Sequence, residues 1–266
     1  MKIRSCYVAI AVVASLALLG ACKSNSGGGD PGSSTSSAAS PTPSPTPNPV
    51  EVMKASTKQF GSTSYKFTLA APANGADVSG AVDPTANTLT AATKVSAAGA
   101  VVKFDLAVIG GDYYAKITGV PIPGVDTKKW LHLNTSKLDG PETLLLADYK
   151  DPTGAQALTA AIVTAEASGD RAYKGTMDLT NTKVMGLTPS DIKDMGDKAK
   201  AIPFEATVDG QGRLATLKLT MPEAGSNKAD TFAFGYSDFG AAVTATKPAA
   251  NQTIEAPAAA YTLLNS

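Results

Sequence analysis

Cysteine, histidine and tryptophan are nearly missing from this chain of 266 residues, which has two, one and one of them. The single histidine, His132 in WLHLN, has no second histidine and, beyond residue 22, no cysteine with which to complete a metal site. Two readings of it follow. One is a general base or ligand; the plainer one is a strand histidine that faces solvent or hydrogen-bonds locally. An excess of charge of either sign is missing too: 23 basic residues balance 23 acidic ones, with no basic stripe, which argues against nucleic acid as a partner. No G-x-S-x-G or P-loop motif occurs, so the nucleophile-elbow and phosphate-loop signatures are excluded. The aspartates of DIKDMGD (191–197) stand three apart, as on a solvated helix face, and lack the alternate spacing of a calcium loop. Glu142, Glu166, Asp170 and Glu205 could be combined as a hydrolytic pair, but nothing singles out two of them. Finally, no apolar run reaches the ~20 residues that a membrane-spanning helix needs.

What is present begins at the N-terminus. Lys2 and Arg4 precede an apolar stretch from 6 to 19, interrupted by Ser15 and followed by Gly20 and Ala21. That is the layout of a secretory signal peptide, expected over residues 1–21. Leu19, Gly20, Ala21 and Cys22 resemble the bacterial lipobox, an apolar residue and two small ones before a cysteine. The resemblance implies a diacylglyceryl group on the Cys22 sulfur, cleavage before it, and a lipid anchor on the extracytoplasmic face of the cell membrane. Cysteine usage agrees, because Cys6 leaves with the signal peptide and a lone thiol in an exported protein is more natural as a thioether. Residues 22–49 then read as a tether. Their Gly/Ser-rich part is flexible coil, and PTPSPTPNP is a stiffer polyproline II spacer of about 3.1 Å per residue. Sequons occur at Asn134 and Asn251, and the Ser/Thr/Pro content permits O-glycosylation.

From residue 50 the period decides the structure. Val50, Met53 and Phe60 are spaced for a short helix over 49–60. Alternation of period two follows in TSYKFTLAA, TLTAATKVSA, VVKFDLAVI, DYYAKITG and KKWLHLN. Clustered Leu and Ala in 136–165 predict one or two helices, with Pro141 and Pro152 near their starts. RAYKGTMDLT returns to strand, and TPSDIKDMGDKAKAI (188–202) predicts a helix with Thr188 or Ser190 as N-cap and Pro203 as stop. FEATVDG, RLATLKLTM and TFAFGYSDF complete about ten strands, the first two joined by a hairpin at VDGQG.

These elements predict an α+β fold, a large curved antiparallel sheet wrapped as a half-barrel around a few helices over residues 50–240, with an Ala-rich tail over 241–266. So wide a sheet is hard to fill with three short helices, so the expectation is an apolar cavity lined by Phe67, Leu69, Phe104, Leu106, Phe232 and Phe234, chosen from alternation. SYKFTL, VSGAVDPTANTLTAAT, FDLAVIGGDYYAKI and WLHLN, placed behind a lipobox and a Ser/Pro linker, resemble the LppX/LprA/LprF/LprG lipoproteins of actinobacteria. That resemblance implies a non-enzymatic carrier, without cofactor, which binds lipids or acylated glycolipids and moves them within the cell envelope, with an envelope transporter as a candidate partner. Only Cys22 carries over residue by residue. The alternative is an interaction module with a filled core.

Overall fold

The computed structural model describes residues 47–72, 76–97, 100–119, 121–138, 148–182, 189–225 and 228–265. The signal peptide, Cys22 and most of the tether lie outside these residues, as do Pro141, Glu142 and Thr188. The first element is a helix, α1 (Pro49–Ala55), which begins where sequence rules place it: Asn48 caps it by accepting from the Val50 amide, Pro49 fills the first turn, and Met53 is its buried residue.

Twelve strands form one open sheet: β1 (Tyr65–Ala71), β2 (Ala76–Asp83), β3 (Thr88–Ala97), β4 (Ala100–Ile109), β5 (Asp112–Thr118), β6 (Trp130–Leu133), β7 (Ile162–Gly169), β8 (Ala172–Met177), β9 (Ile202–Val208), β10 (Leu214–Met221), β11 (Asp230–Ser237) and β12 (Thr253–Glu255). Their spatial order is β12-β6-β5-β4-β3-β2-β1-β11-β10-β9-β8-β7. The chain therefore starts in the middle of the sheet and meanders to one edge at β6. It crosses by a connection containing α2 (Ala155–Ala160) to the opposite edge at β7, and meanders back until β11 pairs with β1. Neighbours are antiparallel except β12, which joins β6 in parallel. Two further α-helices lie among the described residues, α3 (Pro189–Met195) and α4 (Ala258–Leu264).

One face of the sheet is buried and the other exposed, as the alternating burial along β1 and β9 shows. Met53 of α1, Ala155 and Leu158 of α2 and Met195 of α3 pack on the buried face. The helices are pinned by buried polar groups. The Thr57 and Thr159 hydroxyls meet at 2.8 Å, and the Asp151 carboxylate accepts from the Ala155 and Gln156 amides at the start of α2. Phe60, Tyr65, Tyr236 and Phe239 form an aromatic group beside them, with the Arg213 guanidinium 4.4 Å from the Phe239 ring. The Tyr65 hydroxyl donates to the Lys150 carbonyl, and the Thr153 and Tyr236 hydroxyls lie 3.0 Å apart.

Several sequence expectations are corrected. The run 136–165 is not wholly helical past 155, because α2 ends at Ala160 and β7 starts at Ile162. Ser190 lies inside α3 rather than capping it, and the helix expected to reach 202 tightens into a 3-10 segment after Met195. Strands do not stop at residue 239 either, since the C-terminal segment adds β12 and α4.

Candidate functional site

Strand register decides which side chains share the buried face. One row across the sheet reads Tyr65, Val82, Leu89, Val108, Tyr113, Leu133, and the next reads Phe67, Gly80, Ala91, Leu106, Ala115, Leu131. A third runs through Leu69, Val78, Thr93, Phe104 and Ile117. On the other side of β1, Leu69 faces Phe234 on β11, which faces Leu217 on β10 and then Ala206 on β9. The result is an apolar wall in which Thr93 is the one polar member of these rows.

All six residues expected to line a cavity lie on this wall. Phe67, Leu69, Leu106 and Phe234 are buried at 1, 8, 2 and 3% exposure, inside the main core. Phe104 and Phe232 are partly exposed and pack against its margin, as does Tyr173, while the partly exposed Val102 packs against a second cluster on the same face. Gly80 makes room for the Phe67 ring: a Cβ added there would stand 2.5 Å from Phe67 Cζ and 2.3 Å from the Thr90 carbonyl oxygen. Gly175 does the same for Phe204, its direct partner across β8 and β9. Two aromatic rings thus pack against strand glycines, an arrangement that protects weak strand positions with aromatic cover.

A second apolar cluster sits on the same face at the β5–β6 end, where Ala260 and Leu264 of α4 pack on Ala115, Ile117, Leu131 and Leu133. Phe104, Tyr113 and Leu138 touch both clusters. Two open grooves accompany the helices. One of ≈ 520 Å³ runs beside α4, lined by Lys137, Ala258, Tyr261, Thr262 and Asn265; the other, ≈ 290 Å³, lies between α1 and α2. Neither is lined by the six residues above.

The exposed face carries the polar cluster that sequence reasoning missed. His132 Nδ1 lies 2.8 Å from Glu255 Oε1, and its Nε2 is 3.7 Å from Asp112 Oδ1. The Tyr114 ring stacks on the imidazole at 5.1 Å, and Lys247 Nζ reaches Asp112 Oδ2 at 3.1 Å. The hydrogen bond from Lys247 holds the Asp112 carboxyl below its ordinary value. Glu255 and Lys247 come from far along the chain, so no local motif announces them. Elsewhere Glu166 pairs with Lys174, Asp170 with Arg171 and Glu205 with Lys218, all on the exposed side. Among the described residues no group of three or more His, Cys, Asp or Glu is placed to hold a metal ion, and no helix is long and apolar enough to cross a membrane.

No protein-family model matches this chain, and no curated protein matches it in sequence. A functional reading therefore rests on the residues themselves.

Proposed function

We propose that the chain is a membrane-anchored lipoprotein, held by lipid on Cys22, whose half-barrel domain takes up the acyl chains of lipids or glycolipids in an apolar cavity and carries them within the cell envelope. On this reading it is a relative of the LppX/LprA/LprF/LprG lipoproteins and performs no catalysis. The supporting observation is the apolar wall that runs across most of the sheet yet leaves Phe104, Phe232, Val102 and Tyr173 incompletely covered by three helices of seven, six and seven residues. Burying acyl chain there gains about 0.8 kcal/mol per CH₂ relative to water. Relative to a bilayer the transfer is nearly neutral, as reversible loading and unloading require. The tether joins the domain at Asn48, so the carrier stays within reach of the membrane that supplies its cargo.

One observation favours a second reading, an interaction module for another envelope protein: Phe67, Leu69, Leu106 and Phe234 are packed as ordinary core. Native mass spectrometry with organic extraction separates the two, applied to a Cys22→Ala chain exported from an actinobacterial host and purified without detergent. Lipid at near one equivalent is the expected result. A clean apo mass, with no uptake from added envelope lipid, would overturn the carrier reading in favour of the module.

A further inference from the structure

We infer that the C-terminal segment is an intramolecular stand-in for ligand, a strap that wraps the β6 edge and seats α4 on the stretch of apolar wall that an acyl chain occupies when the strap leaves. This rests on the carrier reading. Ala115, Ile117 and Leu131 continue the same register rows that hold Leu106 and Phe104, so the seat of α4 is the end of the main wall. The strap's share of its cover is Ala260 and Leu264 from the helix with Ile254 and Ala256 beside them, and Ile122, Val125 and Leu138 pack on the same cluster from outside the strap.

The strap grips both faces of one edge. On the exposed side Lys247 pairs with Asp112, Glu255 with His132, and Lys129 donates to the Asn251 carbonyl. On the buried side the Asn134 amide donates to the Tyr261 hydroxyl at 2.8 Å, and the Asn265 side chain donates to the Lys137 carbonyl at 3.1 Å. Each of these holds is of a reversible kind. β12 is three residues long and pairs in parallel, and α4 is seven residues long, starts after Pro257 and has no side-chain cap. Exposed ion pairs contribute little against water. None of the contacts is shared with a hairpin: β6 keeps its antiparallel pairing to β5 when the strap lifts. An equilibrium of this form taxes ligand affinity by the fraction of molecules with the wall free, and a ligand that needs the wall releases the strap.

The test uses the full chain with Cys6→Ser, Cys22→Ser and Thr262→Cys, which carries one thiol, on the exposed side of α4. A fluorophore there reports strap mobility, and hydrogen exchange reports the amides of 253–264, with palmitate as probe. A second form adds Tyr261→Ala and Leu264→Ala, which loosen α4, lie outside the main core and leave the backbone pairing of β4, β5 and β6 in place. The inference expects palmitate to mobilise the fluorophore and speed exchange in the strap, and the loosened form to bind palmitate about tenfold more tightly. Palmitate binding with the strap still docked and equal affinity in both forms would overturn the inference and leave the carrier reading standing. Binding by neither form would remove both.

Discussion

Replacing Gly80 by alanine tests whether the ring of Phe67 is wedged into the sheet as described. A methyl group at this position arrives 2.3 Å from the Thr90 carbonyl oxygen and 2.5 and 2.7 Å from Phe67 Cζ and Cε1, where carbon contacts are comfortable at about 3.5 Å. The ring is 1% exposed and has no solvent to swing into. The Thr90 oxygen is backbone of the next strand, so relief requires β2 and β3 to move apart by about 1 Å. Overpacking of this kind costs typically 1–3 kcal/mol, and loss of glycine's freedom in the unfolded chain returns about 0.5–1. Because part of the clash is with backbone, the net loss is placed near 2 kcal/mol, which lowers the melting midpoint of a domain this size by about 4–8 °C. Thermal and urea unfolding of Gly80→Ala and of Gly80→Ala with Phe67→Leu measure it. The smaller side chain relieves the ring contact and leaves the Thr90 contact, so recovery should be partial. A Gly80→Ala midpoint within about 1 °C of the parent would refute the packing argument.

Burial holds the Asp151 carboxyl above 3.8, so the folded chain binds that proton more tightly than the unfolded one and loses stability as pH rises from 3.8 through the folded value. Asp151→Asn gives up one capping acceptor and escapes that loss, so its stability deficit should narrow between pH 3.8 and neutrality in paired melts. Thr159→Val strands the buried Thr57 hydroxyl, whereas Thr57→Val leaves Thr159 bonded to the Ala155 carbonyl; the first should cost about 1–3 kcal/mol and the second about 1 in urea titrations. Phe232→Glu sets a carboxylate on the uncovered margin of the wall, and bound lipid in native mass spectra should fall about tenfold or more. Cys22→Ala should move the chain from the membrane to the soluble fraction and abolish labelling by radioactive palmitate.

Legibility in the sequence followed local pattern. β1, β4, β9, β10 and β11 alternate large apolar and polar residues, and all were visible. β2 was blurred because its inward position opposite Phe67 is glycine and its neighbours are Ser79 and Ala81. β7 was read as helix because an edge strand with seven of eight residues incompletely buried shows no periodic face, and its Ala content suits a helix equally well. The three residues of β12 pair with a strand more than a hundred positions away, which no window detects. At the candidate site, alternation placed six residues on one face. It could not divide them into buried core, Phe67, Leu69, Leu106 and Phe234, and uncovered margin, Phe104 and Phe232, because that depends on where α1, α2 and α3 end. His132 was visible, but its partners Glu255 and Lys247 were not.

The pairing of β1 with β11 has consequences for how the chain reaches this state. Every other antiparallel neighbour in β1 to β6 and in β8 to β11 follows in sequence, so these strands close locally, the longest connection being the one through α3 between β8 and β9, and form early. The middle seam joins Lys66 to Ser237 and must wait until nearly the whole chain has been delivered. Until then two meanders each present a raw central edge, with Phe67 and Phe234 uncovered along it. Folding is thus a late docking of two half-sheets, and the exposure of those edges during delivery sets the interval in which the protein needs shielding from its own copies.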